Sequence, residues 1–92
     1  MIDSNKISLN YIKKEQLTGS FQGMRYRMAK SGDEMLVTIW PEPYNYLRTP
    51  SETKQNHNFA MTPDGKEEAV QWMNEQYEQQ KQLWDLALHT PL

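Results

Sequence analysis

The last third of the chain carries the strongest constraint. Between residues 63 and 88, Ala69, Val70, Met73, Tyr77, Trp84, Ala87 and Leu88 fall within a sector of roughly 100° when placed at about 100° per residue, the arc that an amphipathic helix buries. From Ala69 onward Gln80 is the one polar residue inside that arc, and Trp72 and Leu83 flank it. The start of the helix is written in the same segment. Thr62 is an N-cap residue, Pro63 suits the first helical position, and Asp64, Glu67 and Glu68 stand where the helix dipole favours carboxylates. Gly65 weakens this start by up to about 1 kcal/mol relative to alanine. Such a helix must lie on something.

Residues 22–40 supply the surface. In QGMRYRMAK, Met24, Tyr26 and Met28 alternate with Arg25, Arg27 and Ala29, the period of a half-buried strand. SGDE gives a turn. MLVTIW then puts Met35, Val37 and Ile39 on one face and Leu36, Thr38 and Trp40 on the other, so the two runs make a β-hairpin. Pro41 and Pro43 end the second strand, because proline removes a ladder donor and restricts the residue before it. Residues 41–61 read as a long polar loop with a short third strand near Phe59. Residues 1–20 read as an N-terminal edge segment in which Ile7, Leu9 and Tyr11 alternate. The expected fold is α+β: a small antiparallel sheet of about three strands around a central hairpin, with a long C-terminal helix packed on one face. All 92 residues form one domain, able to bury only about 60–65% of its unfolded surface.

Composition excludes several chemistries. Without cysteine there is no disulfide, thiolate zinc site, iron–sulfur cluster or cysteine nucleophile. A net charge of −2 is neither the footprint of a duplex-binding protein nor the acidity of a nucleic-acid mimic. The start MIDSNKISLN has no positive region followed by an apolar one, and no run approaches the roughly 18 apolar residues of a membrane span, so the cytoplasm is the expected compartment. His57 and His89 lie far apart in the chain, without a ligand-spaced carboxylate, and read as solvated residues rather than metal ligands. The neighbouring carboxylates Glu67 with Glu68 and Glu75 with Glu78 fit the wet face of the helix. No catalytic residue, metal or cofactor is assigned from these patterns.

The blocks KKEQLTGS, GMRYR, WPEPYNY and AVQWMNEQY resemble a family of small bacterial proteins of similar length, over residues 11–78. Some members of that family carry the label of acyl-coenzyme A dependent acetyltransferases. The resemblance thus implies acetyl transfer as one alternative. The cofactor loop of that superfamily, Q/R-x-x-G-x-G/A, holds a pyrophosphate at a strand-to-helix junction. Its nearest counterpart here is QLTGSF, residues 16–21, with Phe21 in the place of a small residue and a strand following.

The other functional expectation is a non-catalytic interaction module. Arg25 and Arg27 share a strand face, and Trp40, Tyr44 and Tyr46 exceed what a strand exit requires. An aromatic and basic rim of this kind binds a protein segment, the favoured partner, or stacks a nucleic-acid strand. The same side chains also fit an ordinary wet sheet face, with arginine stems covering a tryptophan.

Length bears on assembly. A straight helix over residues 63–88 is about 39 Å long, against roughly 20–30 Å for the strands. The excess carries Leu83, Trp84, Leu86 and Leu88. Either these residues pair with a second copy as a homodimer, the preferred reading, or the chain bends near Gln80 and returns them to its own core.

Overall fold

The computed structural model describes residues 2–42 and 53–89. A 3-10 turn, Ser4–Lys6, is followed by α1 (Leu9–Lys14), β1 (Leu17–Phe21), β2 (Met24–Ser31), β3 (Glu34–Pro41), β4 (Gln55–Ala60), α2 (Pro63–Gln79) and α3 (Lys81–His89). The fold is α+β. The sheet is an antiparallel meander in the order β1-β2-β3-β4, four strands where the sequence suggested about three. The added strand is β1, whose threonine, glycine and serine disguise it.

Local chemistry makes each connection. Gln22 and Gly23, between β1 and β2, both have positive φ (45° and 94°), the requirement of a type I′ hairpin turn. Gly32 (φ 63°) opens the turn between β2 and β3. The alternation of Ile7, Leu9 and Tyr11 does not produce a strand. Ser8 accepts a hydrogen bond from the Tyr11 amide and caps α1, which turns Ile12 inward to 1% exposure and leaves Tyr11 outside. Residues 55–58, expected in a loop, belong to β4. An edge strand tolerates the polar sequence QNHN because only part of it faces the core.

The register sorts the sheet into two faces. Leu17 and Phe21, Met24, Tyr26 and Met28, Met35, Val37 and Ile39, and His57 and Phe59 share the first. On this face Met24, Met28, Met35, Val37 and Ile39 form one buried cluster with Ile2, Ile7 and Ile12 from the N-terminal segment and Ala69, Val70, Met73, Tyr77 and Trp84 from the helices. The second face carries Thr18, Ser20, Arg25, Arg27, Ala29, Leu36, Thr38, Trp40, Asn56 and Asn58. None of its residues joins that cluster.

The C-terminal helix is two helices. Gln80 leaves helical geometry (φ −119°, ψ 30°), and its carbonyl accepts from the amides of Leu83 and Trp84 to start α3. Its side chain explains why a glutamine sits in the apolar arc. Gln80 and Gln55 of β4 exchange amide hydrogen bonds of 2.8 and 2.9 Å, and Gln80 Nε2 also donates to Gln76 Oε1 at 2.8 Å. A part-buried amide in an apolar arc is best tolerated when satisfied, and here both ends are. The break folds Trp84 to 0% exposure, with its indole N–H on the Gln76 carbonyl at 3.2 Å. Trp84 is therefore not a dimer contact, which corrects the preferred reading of the overhang. Leu83 and Leu86 stay exposed (40% and 70%); the Leu88 side chain lies outside the described residues.

Gly65 has a packing role that helix propensity does not reveal. It is buried at the first turn of α2, and a Cβ there would overlap the Ala60 carbonyl at the end of β4. Gly65→Ala should therefore destabilise by about 1–3 kcal/mol through overpacking instead of gaining about 1 kcal/mol of helix propensity; denaturant unfolding reads the sign. Trp84→Ala should cost about 3–5 kcal/mol. A chain ending at Gln80 should accordingly melt well below the full chain, whereas a folded, stable product would refute the seat given to Trp84.

Candidate functional site

The second sheet face brings three of the sequence-selected residues together. Arg25 lies directly across from Trp40 on β3 and Ser20 on β1, and Arg27 across from Thr38 and Thr18. The two guanidinium groups differ in how firmly they are held. Arg27 Nε donates to Gln16 Oε1 at 2.6 Å. Arg25 Nη2 stands 3.7 Å from Glu42 Oε1, a loose ion pair with 36% of the arginine side chain exposed. The Glu42 amide in turn donates to the Gly23 carbonyl at 3.0 Å, which ties the exit of β3 to the β1–β2 turn. Arg25 Nε is buried and has no hydrogen-bond partner.

Trp40 does not serve as an open stacking platform. It is only 2% exposed, and beside it Thr38 is fully buried, donating from Oγ1 to Asn56 Oδ1 at 2.6 Å. The face therefore offers arginine heads, hydroxyls and amides over a buried indole. Tyr44 and Tyr46, the rest of the expected rim, lie outside the described residues.

The motif blocks are spatial neighbours. Gly19 of the TGS block faces Tyr26 of GMRYR across β1 and β2. A Cβ on Gly19 would lie 2.6 Å from Tyr26 Cζ, so the glycine makes room for the phenol ring to lie over the strand. This is a packing explanation for the glycine that the acyl-coenzyme A loop pattern would assign to pyrophosphate. Residues 17–21 are a paired strand rather than a strand-to-helix loop, so the backbone cradle of that loop is not formed there. Farther along, the Tyr77 hydroxyl donates to Gln22 Oε1 at 2.7 Å, and the Tyr77 ring meets Phe21 edge-on at 4.9 Å.

The helix carboxylates behave as a wet face. Glu67 accepts from Ser4 Oγ at 2.9 Å, Glu75 accepts from Gln71 at 3.2 Å, and Glu78 stands 3.7 Å from Lys81. Among the described residues no group of three or more His, Asp or Glu side chains is arranged to hold a metal ion. No described helix is long and apolar enough to cross a membrane.

One cluster escaped the sequence reading. His57 stacks on Phe59 (4.5 Å between centroids, 24° between planes), and Trp72 of α2 leans on both at 5.5 and 5.9 Å. The alternation Gln55, His57, Phe59 was its available signal, hidden because the segment is polar enough to pass for a loop. No protein-family model matches the chain, and no curated protein or solved structure matches it.

Burial raises the Tyr26 hydroxyl above its ordinary pKa of 10.0. The folded state then prefers the neutral phenol. Its contribution to stability is complete below the unfolded value near pH 10 and is lost as pH climbs through the higher folded value. Unfolding free energies should fall more steeply above pH 10 in wild type than in Tyr26→Phe, and parallel curves would contradict this.

Proposed function

We propose that this chain is a non-catalytic interaction module that binds an acidic segment of a protein partner on the second sheet face, through Arg25 and Arg27. The observation that carries this reading is their placement. Two arginines stand two residues apart on one strand, away from the buried cluster of the helical face, with Gln16 holding the Arg27 head and Glu42 loosely beside Arg25. A planar guanidinium matches a carboxylate through two parallel hydrogen bonds, and a head already held in place loses little freedom on binding. The Glu42 pairing is loose at 3.7 Å and is open to exchange for a partner carboxylate. A net charge of −2 favours a local acidic segment over an extended polyphosphate. The reading retains the cytoplasmic setting and the bacterial family expected from sequence. Self-association, if the chain has it, rests on Leu83 and Leu86 without Trp84.

The test is affinity capture from a cell lysate with wild type and the Arg25→Ala, Arg27→Ala double variant. Charge-assisted hydrogen bonds contribute about 1.5–3 kcal/mol each, so the double variant should lose captured protein by at least about tenfold while its melting temperature stays nearly constant. Equal capture would remove the proposal. A steep loss of binding with salt, one counterion per phosphate, would redirect it to nucleic acid. Saturable binding of acetyl-coenzyme A would turn it to the acyl-transfer alternative.

A further inference from the structure

The turn between β1 and β2 decides which main-chain groups of β1 are already used. In a two-residue hairpin closed by Phe21 and Met24, that pair exchanges both main-chain hydrogen bonds, and bonded pairs recur at Gly19↔Tyr26 and Leu17↔Met28. Thr18 and Ser20 therefore turn their N–H and C=O away from β2. β1 is the first strand in the sheet order, and among the described residues no main-chain hydrogen bond reaches these outward groups. LTGSF has neither lysine nor proline to guard such an edge.

A groove follows this edge, and described residues wall it on both sides. Toward Phe21 it encloses about 480 Å³ between β1 and the segment carrying Asp3, Lys6 and Ile7. It continues past Thr18 as a hollow of about 300 Å³ toward Tyr11 and Gln16. The N-terminal segment runs beside β1 without pairing with it because its bonds go to α2: Asn74 exchanges hydrogen bonds with the Ile2 main chain, and Lys66 Nζ donates to the Ile7 carbonyl.

The two sides of the edge differ in chemistry. On the second sheet face Thr18 lies across from Arg27 and Ser20 across from Arg25. Gln16, a neutral acceptor, holds Arg27 Nε, and Glu42 stands loosely beside Arg25. On the first face the groove presents Ile7, Leu17, Phe21 and Tyr26, and Gly19 lets the phenol lie over the strand. Lys6 and Asp3 offset one another in charge within the groove, so the arginines set the sign of the edge.

We infer that β1 receives an extended acidic segment of a second protein as a fifth strand, its main chain bonded to Thr18 and Ser20. Its carboxylates lie on the second face toward Arg27 and Arg25, and its intervening apolar side chains enter the groove. This rests on the arginine-face reading above and gives that ligand its conformation. An added strand lies about 10 Å from β2, two strand spacings, a gap that glutamate and arginine side chains span together. Strand addition draws affinity from main-chain hydrogen bonds and specificity from alternate side chains. A second copy does not answer the charge, since its own β1, LTGSF, carries no carboxylate.

The probe is a blocked heptapeptide, Thr-Val-Glu-Val-Glu-Val-Thr, which sets both glutamates on one face and the valines on the other, beside its twin with lysine for glutamate. Titrated into the full-length protein, the glutamate peptide should bind saturably below millimolar concentration and the lysine peptide at least about tenfold more weakly. The Arg25→Ala, Arg27→Ala double variant should erase that difference. Methylating the glutamate nitrogens or the valine nitrogens of the peptide should abolish binding for one set and spare it for the other, because only alternate groups of a strand face its neighbour. Thr18→Pro removes an outward donor and leaves the ladder to β2 intact; it should weaken binding about tenfold with little change in melting temperature. The methylated peptides decide the same point on the unaltered protein. A glutamate preference that the double variant erases, with equal response to the two methylated sets, would overturn the strand and leave the arginine reading standing. Equal binding of the two unmethylated peptides, or no saturation, would also overturn the inference, while lysate capture tests the arginine reading separately. So would a dimer, seen by light scattering, that the glutamate peptide disperses, since the edge would then belong to a second copy.

Discussion

The amide pair between Gln55 and Gln80 governs the arrangement of the helical layer. It is the point at which the C-terminal helix stops being straight, and the bend is what lets Trp84 close the core. Had the helix continued, its apolar stripe would have outrun the sheet by roughly 10 Å or more at 1.5 Å per residue. A glutamine in that stripe would cost free energy if left unsatisfied. Paired on both sides, it marks the start of α3 and anchors the end of α2 to the last strand.

The same economy runs through the sheet. Gly19 is small so that Tyr26 can lie over it, Gly65 so that α2 can approach the end of β4, and Gln22 adopts a positive φ while holding the Tyr77 hydroxyl. Neighbouring elements are thereby fitted at single close approaches, each allowed by one permissive residue. A core with Met24, Met28, Met35 and Met73 at 0% exposure needs such fits. Methionine fills irregular space but specifies it poorly, so the placement of elements falls to glycines and buried polar contacts.

What could be read from sequence follows the same division. The helix start was legible because each signal is local: Thr62 Oγ1 accepts from the Gly65 amide at 3.0 Å, as an N-cap residue should. The hairpin was legible because Met24, Tyr26 and Met28 keep strict alternation. The bend at Gln80 was not resolved, since residues on both sides remain in phase with one helical stripe and only a distant residue, Gln55, decides. α1 was misread because Ile7, Leu9 and Tyr11 satisfy two periods over so short a span, and the cap on Ser8 breaks the tie. Periodicity put Arg25 and Arg27 on one face without deciding which face of β3 lies beside them; the register sets Trp40 there, but a face is not an exposure, and at 2% the indole supports the arginines rather than presenting itself. For the cluster of His57, Phe59 and Trp72, pairing with β3 supplied what pattern alone did not.

Charge on this molecule is answered locally rather than sorted by layer. Arg25 on the second face stands by Glu42, and on the helix side Glu78 stands by Lys81. Neither pair is tight, at 3.7 Å each, so neither fixes a side chain as firmly as a hydrogen bond would. The Arg27 head differs, because Gln16 holds it on a paired strand. On the proposed reading a docking segment meets that head already in position, and the ordering cost falls mainly on the partner.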